Sequence, residues 1–90
     1  MSEKTTFIYA LIDPYDNQIK YVGKSDDPSI RLIEHIRKSK YISTYKNNWI
    51  KSLINKNGSP ELIIIDEVLN TEWSFWEKHW ISIEIGRAHV

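Results

Sequence analysis

Six blocks of apolar patterning divide the chain. Phe7-Ile8-Tyr9-Ala10-Leu11-Ile12 is a run of strand formers, and Asp13-Pro14-Tyr15-Asp16-Asn17 after it is dense in turn residues. Ile19-Lys20-Tyr21-Val22 resumes the strand and Gly23 ends it, so the pattern predicts a β-hairpin with Tyr9 and Tyr21 near the same end. Asp27 is placed to cap a helix that has Pro28 at its first position. Leu32, Ile33 and Ile36 form the apolar side of that helix, and Arg31 and His35 lie one turn apart on a different, polar side. A second helix runs from about Lys46 to Lys56, with Trp49, Ile50, Leu53 and Ile54 as its buried stripe and Asn57-Gly58 as its stop. Leu62-Ile63-Ile64-Ile65 reads as the third strand, and Asn70 or Thr71 caps a last helix carrying Trp73, Trp76, Trp80 and Ile81. The expected fold is α/β of the α+β kind. A small antiparallel three-stranded sheet is flanked by helices in the order ββααβα.

The 90 residues bound this picture to one modest core. The absence of cysteine excludes a disulfide framework and a zinc–cysteine site. The first six residues lack a basic region followed by an apolar stretch, and no apolar run approaches membrane-spanning length. The expectation is a cytoplasmic protein of a bacterium or a phage-infected cell, with no membrane partner. The net charge of zero conceals a division along the chain. Residues 20–56 carry nine basic and three acidic side chains, whereas residues 1–19 carry −2 and residues 57–90 carry −4. A basic middle of this kind suits phosphate contacts, although a solvated helical surface has the same composition.

Two side chains stand out on chemical grounds. Glu77 is bracketed by Trp73, Trp76, Trp80 and Ile81 at helical spacing, which places a carboxylate within an apolar stripe. Such a group needs a cation: an ion pair with Arg31 or Lys24, or a magnesium ion, which takes one or two carboxylates and keeps water or phosphate on its other positions. Arg31 offers a planar fork that holds two phosphate oxygens and stays charged, suiting the extra negative charge of five-coordinate phosphorus. Its plain alternative is a surface arginine at the start of a helix.

Tyr9 and Tyr21, twelve positions apart, together with Gly23, Arg31, His35 and Glu77, give the chain a pattern that resembles the GIY-YIG endonuclease family from Phe7 to about Ile83. Phe7 stands where the family name has glycine, and Tyr21-Val22-Gly23 has valine for isoleucine. The resemblance implies a divalent-metal-dependent endonuclease that hydrolyses DNA phosphodiester bonds by water attack. Glu77 would be the ligand of Mg²⁺ or Mn²⁺, and both tyrosines would line the active site. One tyrosine would help to deprotonate water, which one being left open, with Lys24 or the metal as the cation that lowers its pKa. His35 would donate to phosphate or assist proton transfer, and Gly23 and Lys24 would lie against the phosphate. The competing reading is a nucleic-acid-binding module without cleavage, or an inactive fragment of a larger homing or restriction-type enzyme.

The last six residues, Ile85-Gly86-Arg87-Ala88-His89-Val90, follow no element signal. Back-translated, they match a widely used sequencing-library adapter whose next in-frame codon is a stop. Residues 1–84 are therefore expected to be a single nuclease-like domain truncated at its C-terminus. Residues 85–90 are expected to be an adapter translation with no role for Arg87 or His89.

Overall fold

The first strand has too many apolar side chains for one covered face, and this decides the architecture. In the computed structural model, which describes residues 4–85, β1 (Thr5–Ile12) runs down the centre of the sheet. It pairs antiparallel with β2 (Ile19–Ser25) on one side and β3 (Glu61–Leu69) on the other. Both faces of β1 are covered, so Ile8, Tyr9, Ala10 and Leu11 are all fully buried. The hairpin joining β1 to β2 closes through Asn17 at φ 62°, a left-handed conformation that asparagine tolerates, and through the Asp13 N–H donating to the Gln18 carbonyl at 2.9 Å.

The alternation of the sheet separates two clusters. Ile8, Ala10, Val22 and Val68 point to one face, where Trp73, Trp76 and Trp80 cover them. Tyr9 and Leu11 point to the other, where they meet Ile50, Leu32, Ile36, Trp49 and Ile54. Helices α1 (Pro28–Lys38) and α2 (Tyr45–Asn55) form the second face. α1 starts as its sequence implies, with the Asp27 carboxylate accepting from the Ile30 N–H at 3.3 Å and proline in the first turn. Thr44 caps α2 in the same way, and Asn57, at φ 65°, follows its end. The Trp49 indole N–H donates to Asp13 at 3.0 Å, pinning α2 to the hairpin loop.

Helix α3 (Trp73–Trp80) and a π-helical turn (Ile81–Ile85) close the first face. The structure is thus a small α+β fold with a three-stranded antiparallel sheet and three helices, and the terminal π turn lies outside the expected order. The third strand is longer than its β-branched centre implied, because Asp66 to Leu69 continue pairing with Thr5 to Ile8 across a bulge. Neither Asn70 nor Thr71 caps α3. The Asn70 N–H donates to Lys4 and the Glu72 N–H to Leu69, so the cap position falls on Glu72, which makes no side-chain capping bond. In α1, Ile33 is 65% exposed and His35 only 2%, which reverses their expected placement. The buried side of that helix is Leu32-His35-Ile36, and a histidine can join it because both ring nitrogens find partners. Ile81 also leaves the expected stripe and is exposed in the π turn. Among the described residues no helix is long and apolar enough to cross a membrane. The expected adapter-encoded segment lies outside the described residues apart from Ile85.

Candidate active site

Antiparallel pairing sets Tyr9 opposite Gly23 and Leu11 opposite Tyr21, so both tyrosine rings rise from the α1–α2 face of the sheet. Their centroids are 6.2 Å apart. Gly23 is what allows this. A Cβ at that position would lie 2.8 Å from Tyr21 Cε2, 2.9 Å from the Tyr9 hydroxyl and 3.1 Å from the Tyr21 hydroxyl. Gly23 therefore leaves the hollow into which the two hydroxyls lean, and its backbone φ is ordinary.

His35 enters that hollow from α1. Its Nε2 lies 2.6 Å from the Tyr9 hydroxyl and its ring 5.2 Å from that of Tyr21. Its Nδ1 faces the Lys46 ammonium at 2.8 Å, and the same Nζ stands 4.9 Å over the Tyr21 ring. An ammonium can only donate, so Nδ1 is the acceptor and the imidazole proton resides on Nε2, donating to the Tyr9 oxygen. Burial holds His35 down to about 4, reinforced by the positive charges of Lys46, Arg31 and Lys38, and the ring is neutral at neutral pH. Burial also lowers Lys46.

The protein's own groups hold both phenols up rather than down. Burial pushes Tyr9 and Tyr21 up, with the charge of Tyr21 adding to the shift at Tyr9. Arg31 opposes the rise at both, and the interaction between the hydroxyls raises Tyr9 while lowering Tyr21. Tyr21 is therefore the more readily ionised of the two. Lys24 is not the cation that assists them. It pairs with Ile8 on the opposite face and sets its Nζ 5.0 Å over the Trp73 ring. The cations beside the tyrosines are Arg31 and Lys46.

Arg31 divides its guanidinium. One nitrogen bridges to Glu34 at 3.0 Å while the group also acts on Tyr9, and the side chain is about one-third exposed. Glu77 comes from α3 on the other face, which contacts β2, an edge strand. The negative charge of Glu77 adds to the rise at Tyr21. The alternative ion pair with Arg31 or Lys24 does not form: among the described residues Glu77 makes no salt bridge. Burial raises its carboxyl, and Lys24 and Lys78 only partly offset that.

Among the described residues no three histidine, aspartate or glutamate side chains converge as a metal cage. A half-buried single carboxylate fits magnesium or manganese, which keep most positions for water and phosphate. It does not fit zinc, which needs three or four protein ligands.

The structure thus brings Tyr9, Tyr21, Gly23, Arg31 and His35 together and leaves Lys24 and Glu77 on the other face. Lys46 is the functional candidate that sequence reasoning missed. It precedes Ile50 by four residues and Leu53 by seven, so it shares the buried stripe of α2. A lysine on an apolar stripe was the available signal. Compared with protein-family models, curated proteins and solved structures, the chain finds no match.

Proposed function

We propose that this chain is a GIY-YIG-type endonuclease domain that hydrolyses DNA phosphodiester bonds with a divalent metal ion. The observation that carries this reading is the meeting of Tyr9, Tyr21, Arg31 and His35 around Gly23, with the charge of Glu77 felt at Tyr21. Nothing in a packing role calls for two phenols, an imidazole and two cations in one hollow.

In the proposed reaction, water attacks phosphorus in line and the P–O bond to the departing strand breaks. The Arg31 fork holds the non-bridging oxygens as their negative charge grows. Tyr21, in its ionised form, takes the proton of the attacking water. Tyr9 is held by the His35 Nε2–H, so its hydroxyl has a fixed direction. Lys46 keeps the histidine in the donating tautomer. Bound at Glu77, Mg²⁺ or Mn²⁺ would supply positive charge to phosphate and cancel the carboxylate's opposition to ionising Tyr21. The two raised phenols favour a second reading, a nucleic-acid binder that does not cleave.

A nicking assay on supercoiled plasmid separates the two. Cleavage should require added Mg²⁺ or Mn²⁺ and stop with chelator. Glu77→Ala should abolish it while DNA binding and the melting temperature stay close to wild type. Nicking that persists undiminished in chelator would sink the Glu77 assignment, and DNA binding without nicking under any divalent metal would leave the binder.

A further inference from the structure

The connection between α1 and α2 carries a second surface. From His35 to Pro60 the chain holds six basic residues, Arg37, Lys38, Lys40, Lys46, Lys51 and Lys56, and no acid. Within that stretch Tyr41 is 77% exposed and Tyr45 78%. Four residues of chain keep their Cα atoms within ~14 Å of each other.

The exposure of these rings is not a sign of a loose loop. The Tyr41 and Ile42 N–H groups both donate to the Lys38 carbonyl at 3.0 Å. The amide of Asn47, itself buried, donates to the Ile42 carbonyl at 2.9 Å, and the Thr44 hydroxyl accepts from the Asn47 N–H at 3.1 Å. Ser39, also buried, donates to Ile36 at 2.6 Å. The backbone is fixed and the rings are left outside. A third exposed tyrosine, Tyr15, shows the contrast. Its hydroxyl donates to the Lys56 carbonyl at 3.0 Å, and the Lys56 ammonium stands 5.4 Å over its ring. Among the described residues Tyr41 and Tyr45 have no such partner.

Two unpartnered aromatic faces, one in the α1–α2 connection and one at the start of α2, within an acid-free stretch carrying six basic residues, match the chemistry of unpaired nucleotides. Lysine and arginine follow the phosphates, and a flat ring stacks on any base whose face is free. A duplex hides its base faces in its own stack and offers such a ring nothing. Tyr45 immediately precedes Lys46, the cation seated against His35 and Tyr21. The two rings are therefore placed at the end of α2 that carries this cation.

We propose that Tyr41 and Tyr45 form a stacking platform for a single-stranded DNA stretch next to the scissile phosphate, which deepens the nuclease reading and rests on it for the word scissile. The preferred substrate is then DNA with an unpaired segment, such as a flap, bubble or splayed end.

Fluorescence anisotropy on the full chain, in chelator so that no cleavage intervenes, tests the platform with a labelled single strand and a blunt duplex of the same sequence. Tyr41→Ala and Tyr45→Ala should each weaken single-strand binding roughly 10-fold. Duplex binding should change less than about 2-fold, and the phenylalanine variants, which keep the ring, should restore the single-strand affinity. Lys38→Gln with Lys40→Gln should weaken both ligands alike and reduce the salt slope by about one for each lysine that meets a phosphate. Thermal melting confirms that each variant folds. Unchanged single-strand binding by the alanine variants, or equal losses on both ligands, overturns the platform, and metal-dependent nicking then still upholds the nuclease reading. Tyrosine-dependent single-strand binding in a chain that never nicks keeps the platform and removes the nuclease. Binding to neither ligand overturns the platform and turns the exposed rings toward a protein partner, while plasmid nicking decides the nuclease reading separately.

Discussion

The two faces of one sheet differ sharply in how firmly they are closed. On the tyrosine face, Tyr9, Leu11, Ile50, Leu53 and His35 all rank among the fully buried side chains. On the tryptophan face, Ile8, Ala10 and Val22 are buried beneath a cover that is not: no residue of α3 is buried, and Phe75 is 62% exposed. The difference follows from the covering elements. Two capped helices of eleven residues cover one face, whereas a helix of eight without a capping side chain and the π turn that follows it cover the other. The chemistry divides along the same line. Groups whose proton positions must be fixed, Tyr9, His35 and Lys46, lie on the closed face where burial shifts and locks them. The Glu77 carboxyl sits on the open face, where its charge adds to the rise at Tyr21.

A pair of truncations tests that contrast most strongly. Ile50→Ala removes a fully buried side chain from the closed face and should destabilise the fold by ~2–5 kcal/mol. Phe75→Ala removes a larger side chain, but one that is mostly in water and touches Trp76 edge-on at 5.0 Å. Its cost should stay within ~1 kcal/mol. Urea denaturation of both variants measures the two values. Comparable losses would mean that α3 is packed more tightly than the exposure of Phe75 implies.

Next in size is Arg31→Lys, which keeps the charge and removes the fork. The tyrosine face should hold its fold, because lysine can still meet Glu34 across an exposed turn, an ion pair of little energetic weight. The rate of plasmid nicking should fall by ~10²–10³, since a point charge cannot hold two phosphate oxygens in one plane. Wild-type turnover in this variant would return Arg31 to the role of a surface residue paired with Glu34.

Much of this arrangement was legible before the fold was known, and the failures share a cause. The hairpin, the Asp27 cap and the nearness of Tyr9 to Tyr21 follow from local signals: turn residues, a capping side chain before proline, and strand alternation. The placement of His35 did not follow, because counting histidine as polar favoured Leu32-Ile33-Ile36 as the inner side of α1. Its partners, Tyr9 and Lys46, lie 26 and 11 residues away, and only they make its burial possible. Lys24 was misplaced for a related reason. Adjacency to Gly23 suggested a shared site, yet neighbours on a strand point to opposite faces. The rise of the phenols was hidden as well, since cations can be counted in a sequence while the depth at which a ring is buried cannot.

The smallest expected effect is an acid-dependent loss of stability that originates on the closed face. His35 titrates near 6.5 when unfolded and about 4 when folded, so the unfolded chain binds more protons between those values. Its contribution is complete above pH 6.5 and is lost as pH falls toward 4, by on the order of 3 kcal/mol. The protonated ring would also present an Nδ1–H to the Lys46 ammonium, a donor facing a donor. Glu77 acts with the opposite sign: its carboxyl is held above the usual value, so its contribution diminishes as pH rises through that range. Wild-type stability in urea should therefore fall between pH 6.5 and 4. In His35→Gln the fall should shrink or reverse, because the contribution of the histidine is gone and that of Glu77 remains. If His35→Gln follows the wild-type curve over that window, the neutral buried histidine is not what makes the closed face acid-sensitive, and the proton assigned to Nε2 loses its support.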